Sequence, residues 1–320
     1  MLTFPNGIDV RKIGFYIAKL WAYGLAITPF SLLYLRSDFY YFLFYHVARY
    51  RRKVVRQNLV NSFPDKSLAE LKRIEKSFYH NLCDVIVEAC KLLIMKPDEL
   101  KKHVKFKNPE IVMQLYDKQK SLFLTLPHSG NWEWLGKLMH TLSPHKCAAI
   151  YKRIQNPDFD KFIYEMRTNY NLEMEQMLEA RVALKYLLQR KEYTNNALII
   201  ADQSPMGLKS DYWTEFLHQD TCWFTGVEKM AKLLDYAVVF AGMKRVKRGY
   251  YEVEFELLYE DVKEAPNGSV MEKYVRCLEK FIQENPDNWL WSHRRWKRKR
   301  VVEDQDATPA SVRGRAVGDG

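Results

Sequence analysis

The stretch Leu122-Phe123-Leu124-Thr125-Leu126-Pro127-His128-Ser129-Gly130-Asn131-Trp132-Glu133-Trp134 changes hydrophobic period at its centre. A short apolar run of strand character ends at Pro127. Ser129, Gly130 and Asn131 are turn and helix-capping residues, and they open an amphipathic helix expected from about Trp132 to Met139. His128 therefore belongs to a strand-to-helix turn, where an open α/β sheet presents reactive groups. Glu133 follows in the first helical turn. The pairing suits deprotonation of a hydroxyl, with His128 as general base and Glu133 fixing its tautomer and stabilising the imidazolium. Gly130 lets backbone approach a ligand closely, and Trp132 and Trp134 are candidates for apolar walls. A spacing of five has no meaning by itself, so an ordinary polar turn is the competing reading.

Downstream the pattern alternates. Strands are expected at Leu122–Leu126, Cys147–Tyr151, Ala197–Ala201, Tyr236–Gly242 and Tyr251–Leu258. Helices are expected near Trp132–Met139, Asp158–Tyr170, Glu179–Arg190, Phe224–Leu234 and Val270–Glu284. This predicts an α/β fold, a single sheet flanked by helices. Two further strand ends carry polar groups, Tyr151-Lys152-Arg153 and Asp202-Gln203-Ser204-Pro205. Upstream, apolar residues recur at helical spacing between Ser67 and Ile94, with Ser67 and Glu70 placed as a capping box. The five cysteines are widely spaced without a C-x-x-C pair and read as reduced core thiols. His140, His145 and Cys147 lack the repeated spacing of a metal site.

The formal charge of +11 lies at the two ends. Residues 1–60 carry a net +7 and residues 291–320 a net +4, leaving the middle neutral. An apolar segment, Ile13 to Leu35, interrupts the first basic region with Lys19 as its one charge; as a helix it would reach roughly 34 Å, enough for a tilted bilayer span. Pro29 kinks it, and the aromatic run Phe39–Tyr45 followed by Arg49, Arg51, Arg52, Lys53 and Arg56 forms a second interfacial element. The charge placement favours an anionic membrane over a nucleic acid as partner, with the anchor either spanning or lying in the plane. Three regions are expected: an N-terminal membrane-anchoring helix and basic juxtamembrane region over 1–60, an α/β domain over 61–302, and a polar tail over 303–320 of disorder-prone composition.

Four blocks in register carry a resemblance: Pro127-His128-Ser129-Gly130-Asn131-Trp132-Glu133, then Asp202-Gln203, Trp223-Phe224-Thr225-Gly226 and Trp291-Ser292-His293-Arg294-Arg295-Trp296-Lys297. Together with Arg51-Arg52-Lys53 and Arg56-Gln57-Asn58-Leu59, they resemble the bacterial lipid A biosynthesis late acyltransferases. These are the lauroyl and myristoyl acyltransferases of the lysophospholipid-acyltransferase-like superfamily. The resemblance spans about residues 10 to 300. It implies an acyl-carrier-protein-dependent O-acyltransferase at the cytoplasmic side of the inner membrane, with a lipid A precursor as acceptor and no cofactor. It puts the catalytic dyad on His128 and Glu133. Arg153 is expected to bind a phosphate of the lipid or of the carrier's pantetheine arm. Asp202 is expected to orient a turn or a basic partner, and Arg181 to play a similar part. Backbone N–H groups near Gly130, or Arg153, are candidate oxyanion donors. The Trp291–Arg300 cluster is expected at the membrane or at the acidic face of the carrier. Phe216-Leu217-His218 departs from the family pattern where the acyl pocket is expected to be shaped. The same motif suits transfer to another lipid, such as a lysophospholipid, aminolipid or glycolipid; the basic ends alone also suit a non-catalytic membrane-binding scaffold.

Overall fold

The computed structural model describes residues 10–169, 174–205 and 212–300. The tail expected over 303–320 lies outside them. Pro29 divides the N-terminal apolar run into two helices, α1 (Val10–Ile27) and α2 (Phe30–Tyr41), and the latter runs on into a π-helical turn at Phe42–Val47. The ring removes the amide that a continuous helix needs. Among the described residues no helix is long and apolar enough to cross a membrane. Instead α1 is two-faced. Ala22, Leu25 and Ala26 are buried, while Tyr16, Ile17, Leu20 and Ile27 stand exposed, followed by Leu35 and Phe39 on α2 and Phe42 beyond it.

Two further helices, α3 (Arg52–Ser62) and α4 (Leu68–Cys90), complete this part. The capping box at Ser67 and Glu70 forms as expected: the Glu70 amide donates to Ser67 Oγ, and the Ser67 amide donates to Glu70 Oε2 at 2.9 Å. The N-terminal region is not separate from the rest. Tyr45, Val55, Leu59 and Phe63 share a core with strand residues such as Phe123 and Ile199.

The chain then enters the sheet: α5 (Pro97–Leu100), β1 (Val104–Phe106), α6 (Glu110–Asp117), β2 (Leu122–Leu126), α7 (Trp132–Leu138), β3 (Lys146–Tyr151), α8 (Pro157–Thr168), β4 (Met174–Glu179), α9 (Ala180–Leu188) and β5 (Asn195–Ile200). A hairpin, β6 (Tyr212–Phe216) and β7 (Gln219–Trp223), leads to α10 (Gly226–Leu234), β8 (Ala237–Lys247), β9 (Tyr250–Tyr259) and α11 (Ser269–Glu284). The seven-stranded sheet has the order β1-β9-β8-β2-β5-β3-β4, with β8 and β9 antiparallel and every other pair parallel. Buried on both faces, β2 splits its residues between two cores. Phe123 joins the layer of α10 and α11, whereas Leu122, Leu124 and Leu126 join that of α6 and α7.

The hairpin turns on Leu217 and His218, both at positive φ (48° and 61°), in a two-residue turn with the twist of its strands. Phe216 and Leu217 are completely buried.

Polar contacts strap α2 to the scaffold. Asp84, buried on α4, accepts from Ser37 Oγ at 2.5 Å, from Arg245 Nη2 at 2.8 Å and from Arg248 Nε at 2.9 Å. Arg248 also reaches Asp38 on α2. Asp84→Ala leaves two guanidinium groups without their shared partner and is expected to cost about 3–5 kcal/mol in urea unfolding. Lys118→Ala, which removes an exposed pair with Glu260, is expected to stay within about 1 kcal/mol of wild type.

Candidate active site

The register of β2 against β5 pairs Leu126 with Ile200, so the residues two positions beyond each, His128 and Asp202, emerge side by side above the sheet. Asp202 Oδ1 lies 2.6 Å from His128 Nδ1. Its Oδ2 accepts from the His128 amide at 2.8 Å and from Trp289 Nε1 at 2.8 Å. An ionised carboxylate only accepts, so the imidazole proton sits on Nδ1. Nε2 is left with its lone pair, 3.3 Å from the Gln203 side-chain amide. Burial pushes the His128 pKa down, but the Asp202 charge and hydrogen bond, with a further contribution from Glu133, outweigh it and the pKa is raised. Burial likewise pushes Asp202 up, and the facing imidazolium and its hydrogen bonds bring it below the ordinary value.

The turn is clamped from the C-terminal side. Ser129 bridges Trp289, the Gly130 amide donates to Asn288 O at 3.3 Å, and the Leu290 amide donates to His128 O at 3.1 Å. Gly130 has φ +55°, and a Cβ there would meet the Met243 carbonyl oxygen at 2.6 Å. Glycine is required on both counts.

Glu133 does not reach the imidazole. Arg167 on α8 holds it in a bidentate pair at 2.8 and 2.6 Å, and Trp132 Nε1 donates to it at 3.2 Å. The carboxylate that fixes the His128 tautomer is therefore Asp202. The reason is helical geometry: in the first turn of α7, Glu133 lies along the cleft wall towards α8. Asn131 caps α7 by accepting from the Trp134 amide and donates to the buried Glu88 at 3.0 Å. Trp132 is half-buried against His128, with ring centroids 5.2 Å apart. Trp134 is fully buried in the core and is no wall of the site.

Beside His128 lies a cavity of about 290 Å³. Its floor is apolar, with Ala149, Ile150, Leu198 and Ile200, and its rim is charged, with Glu133, Arg167, Lys137 and Lys152. Lys137 donates to Arg167 O at 3.1 Å, and burial brings its pKa down to about 8. A narrower cleft reaches His128 and Trp132 from the side of α4, lined by Phe78, Leu82 and Val85.

Other expected site residues lie elsewhere. Arg153 is exposed, 3.7 Å from both Asp160 and Glu179, and does not line the cavity. Arg181 is exposed on the first turn of α9 and does not line it either. The Gly130 amide, expected as an oxyanion donor, is engaged by Asn288. Much of the C-terminal cluster is core: Trp291 and Arg295 are buried, and Arg295 donates to Cys222 O at 2.7 Å while lying over Trp223. Among the described residues no group of three or more His, Cys, Asp or Glu is placed to hold a metal. The role of Arg167 had no local sequence signal, because its partner is 34 residues away on another helix.

A family model described as bacterial lipid A biosynthesis acyltransferase matches residues 8–298. No curated protein matches the chain significantly.

The geometry has a direct spectroscopic consequence. An NMR titration of His128 is expected to give a midpoint above the ordinary value of about 6.5, and Asp202→Asn to move it below that value, because burial then acts without the carboxylate. A midpoint that Asp202→Asn leaves in place would contradict this account of the pair.

Proposed function

The chain belongs to the bacterial lipid A biosynthesis acyltransferase family, and from that premise we propose that it moves a fatty acyl chain from acyl carrier protein to the hydroxyl of a 3-hydroxyacyl chain on a lipid A precursor. The observation that carries this reading is the state of His128, with Nδ1 committed to Asp202 and the Nε2 lone pair beside a cavity of apolar floor and charged rim. Nε2 takes the hydroxyl proton as the oxygen bonds to the thioester carbon. The tetrahedral intermediate collapses with cleavage of the C–S bond, and the Nε2 proton passes to the departing sulfur. Asp202 stabilises the imidazolium formed between these steps, a task for which a buried carboxylate is well suited. Arg167, Lys152 and Gln203 supply positive charge and N–H donors for the oxyanion. Glu133 acts with His128 as a second negative charge and positions Arg167. A direct transfer of this kind needs no acyl-enzyme.

The exposed apolar faces of α1 and α2, with the basic segment after them, support attachment in the plane of an anionic membrane, at the cytoplasmic side of the inner membrane. Acceptor and enzyme then meet at one surface.

The test uses detergent-purified protein, carrier loaded with a labelled acyl chain, and an under-acylated lipid A precursor. Wild type is expected to form a labelled ester, and His128→Ala to lose roughly 10²–10⁴-fold in kcat with vesicle binding intact. Because the base must be neutral, kcat rises with pH through the raised pKa of His128. In Asp202→Asn that limb moves to lower pH while its plateau falls. Label appearing only on glycerophospholipid or aminolipid would reassign the acceptor.

A further inference from the structure

A concave groove of about 1000 Å³ lies between the start of α3 and the C-terminal segment, lined by Arg49, Arg51, Lys53, Arg56, Arg294 and Val60 among others. Arg56 and the neighbouring Arg52 share the buried carboxylate of Glu75, at 3.0 and 3.3 Å. Arg51 donates to Ser292 O at 3.0 Å, and no ion pair engages Arg49, Lys53 or Arg294 among the described residues. The groove thus has a large local excess of positive charge.

Its construction is strained. Arg49 and Arg51 have φ of 48° and 51°, a region that non-glycine residues enter at a cost of about 1 kcal/mol or more each. The strain turns the chain sharply between the π-helical turn and α3 and sets arginines on both sides of Tyr50. Exposed Val47 and Tyr50 flank Arg49, and Val60 is a lining residue. A mixed rim of arginine and exposed apolar groups matches the level of lipid headgroups. The volume is at the top of the roughly 300–1,000 Å³ range of small-molecule sites, the scale of a headgroup rather than of a folded partner's convex face.

The groove is close to His128. Leu290 is hydrogen-bonded to His128 O, and Arg294 lies only four residues further along the same segment. Four extended residues span at most about 14 Å.

We propose that this groove is the receptor for a phosphate monoester on the headgroup of the lipid acceptor, with Arg49, Lys53 and Arg294 as its free cations. The proposal rests on the lipid-acceptor reading above and gives that acceptor a second point of attachment. A phosphate monoester carries about −1.5 to −2 charges near neutral pH, and guanidinium forks bind its oxygens in pairs.

Binding is measured apart from turnover, with full-length protein and phosphatidylcholine vesicles holding roughly one lipid in ten as phosphatidic acid or as phosphatidylglycerol. Wild type is expected to prefer the monoester, and Arg49→Ala/Arg294→Ala to lose that preference. Lys101→Ala/Lys105→Ala, which removes equal charge from an exposed site elsewhere, is expected to keep it. In the transfer assay the groove variant is expected to raise KM about tenfold for a phosphorylated acceptor, with kcat and the KM for acyl carrier protein unchanged. Equal loss on both vesicle types would mean general membrane adhesion, and a rise in carrier KM alone would mean carrier docking. Either result overturns the proposal, as does a wild type without monoester preference. Loss of transfer with the preference intact would count against the acyltransfer reading and leave the groove assignment standing.

Discussion

A single buried carboxylate organises the site. Asp202 gathers the His128 amide, the His128 imidazole and the Trp289 indole, and so joins the turn after β2 to the C-terminal segment. The amide sets the turn after β2. The imidazole contact sets which nitrogen faces the cleft, and the indole draws in the segment from 288 onwards that clamps the turn from its other side. An ionised group costs several kcal/mol to bury without compensation, so the three donors are a condition for placing Asp202 there at all. Trp289 follows it into the core for the same reason. Its apolar ring packs against Phe216 and Trp291 while its one polar atom is satisfied.

A second buried carboxylate performs the corresponding task one layer back. Glu88 on α4 accepts from Tyr34 at 3.0 Å, from Asn131 at 3.0 Å and from Tyr251 at 2.6 Å, and burial pushes its pKa up to about 7 against those three donors. Its partners belong to α2, the cap of α7 and β9. The helix with the exposed apolar face and the turn that holds His128 are therefore joined through one side chain. Together with the Asp84 cluster, this fixes α2 and its apolar face relative to the cleft, so that a surface engaging that face meets the site in a defined orientation.

Much of this was legible in the sequence wherever the information is local. The strand of Leu122–Leu126, the Ser67 capping box, and helices α7 to α11 follow from periodicity and capping, and their observed bounds differ from the expected ones by a few residues. What escaped was non-local or locally atypical. The β6–β7 hairpin turns on Leu217-His218, a pair without the glycine or asparagine that usually marks such a turn. Edge strand β4 carries Glu175 and Glu179 and lacks the apolar run of a central strand. Arg295, expected with its cluster at the membrane or at the acidic face of the carrier, is instead buried over Trp223, its side chain donating to Cys222 O of the hairpin. In the site, His128 and Glu133 were visible as a pair along the chain, but which carboxylate meets the imidazole depends on β2 lying next to β5, 74 residues away. Proximity along the chain and the family resemblance point to Glu133. Strand register favours Asp202.

The C-terminal segment explains why the reactive group and the groove stand so close. The segment from Asn288 to Arg295 is first a bridge to the turn, through Trp289 and Leu290, and then meets the basic groove, where Ser292 O accepts from Arg51 and Arg294 is a lining residue. Asn58 holds its middle by donating to Trp291 O at 2.8 Å and to His293 O at 3.0 Å. A displacement of this segment therefore moves the imidazole clamp and the groove wall together. The spacing between His128 and the cations of the groove is thus set by one short stretch of chain, held at Trp289, Trp291 and Ser292.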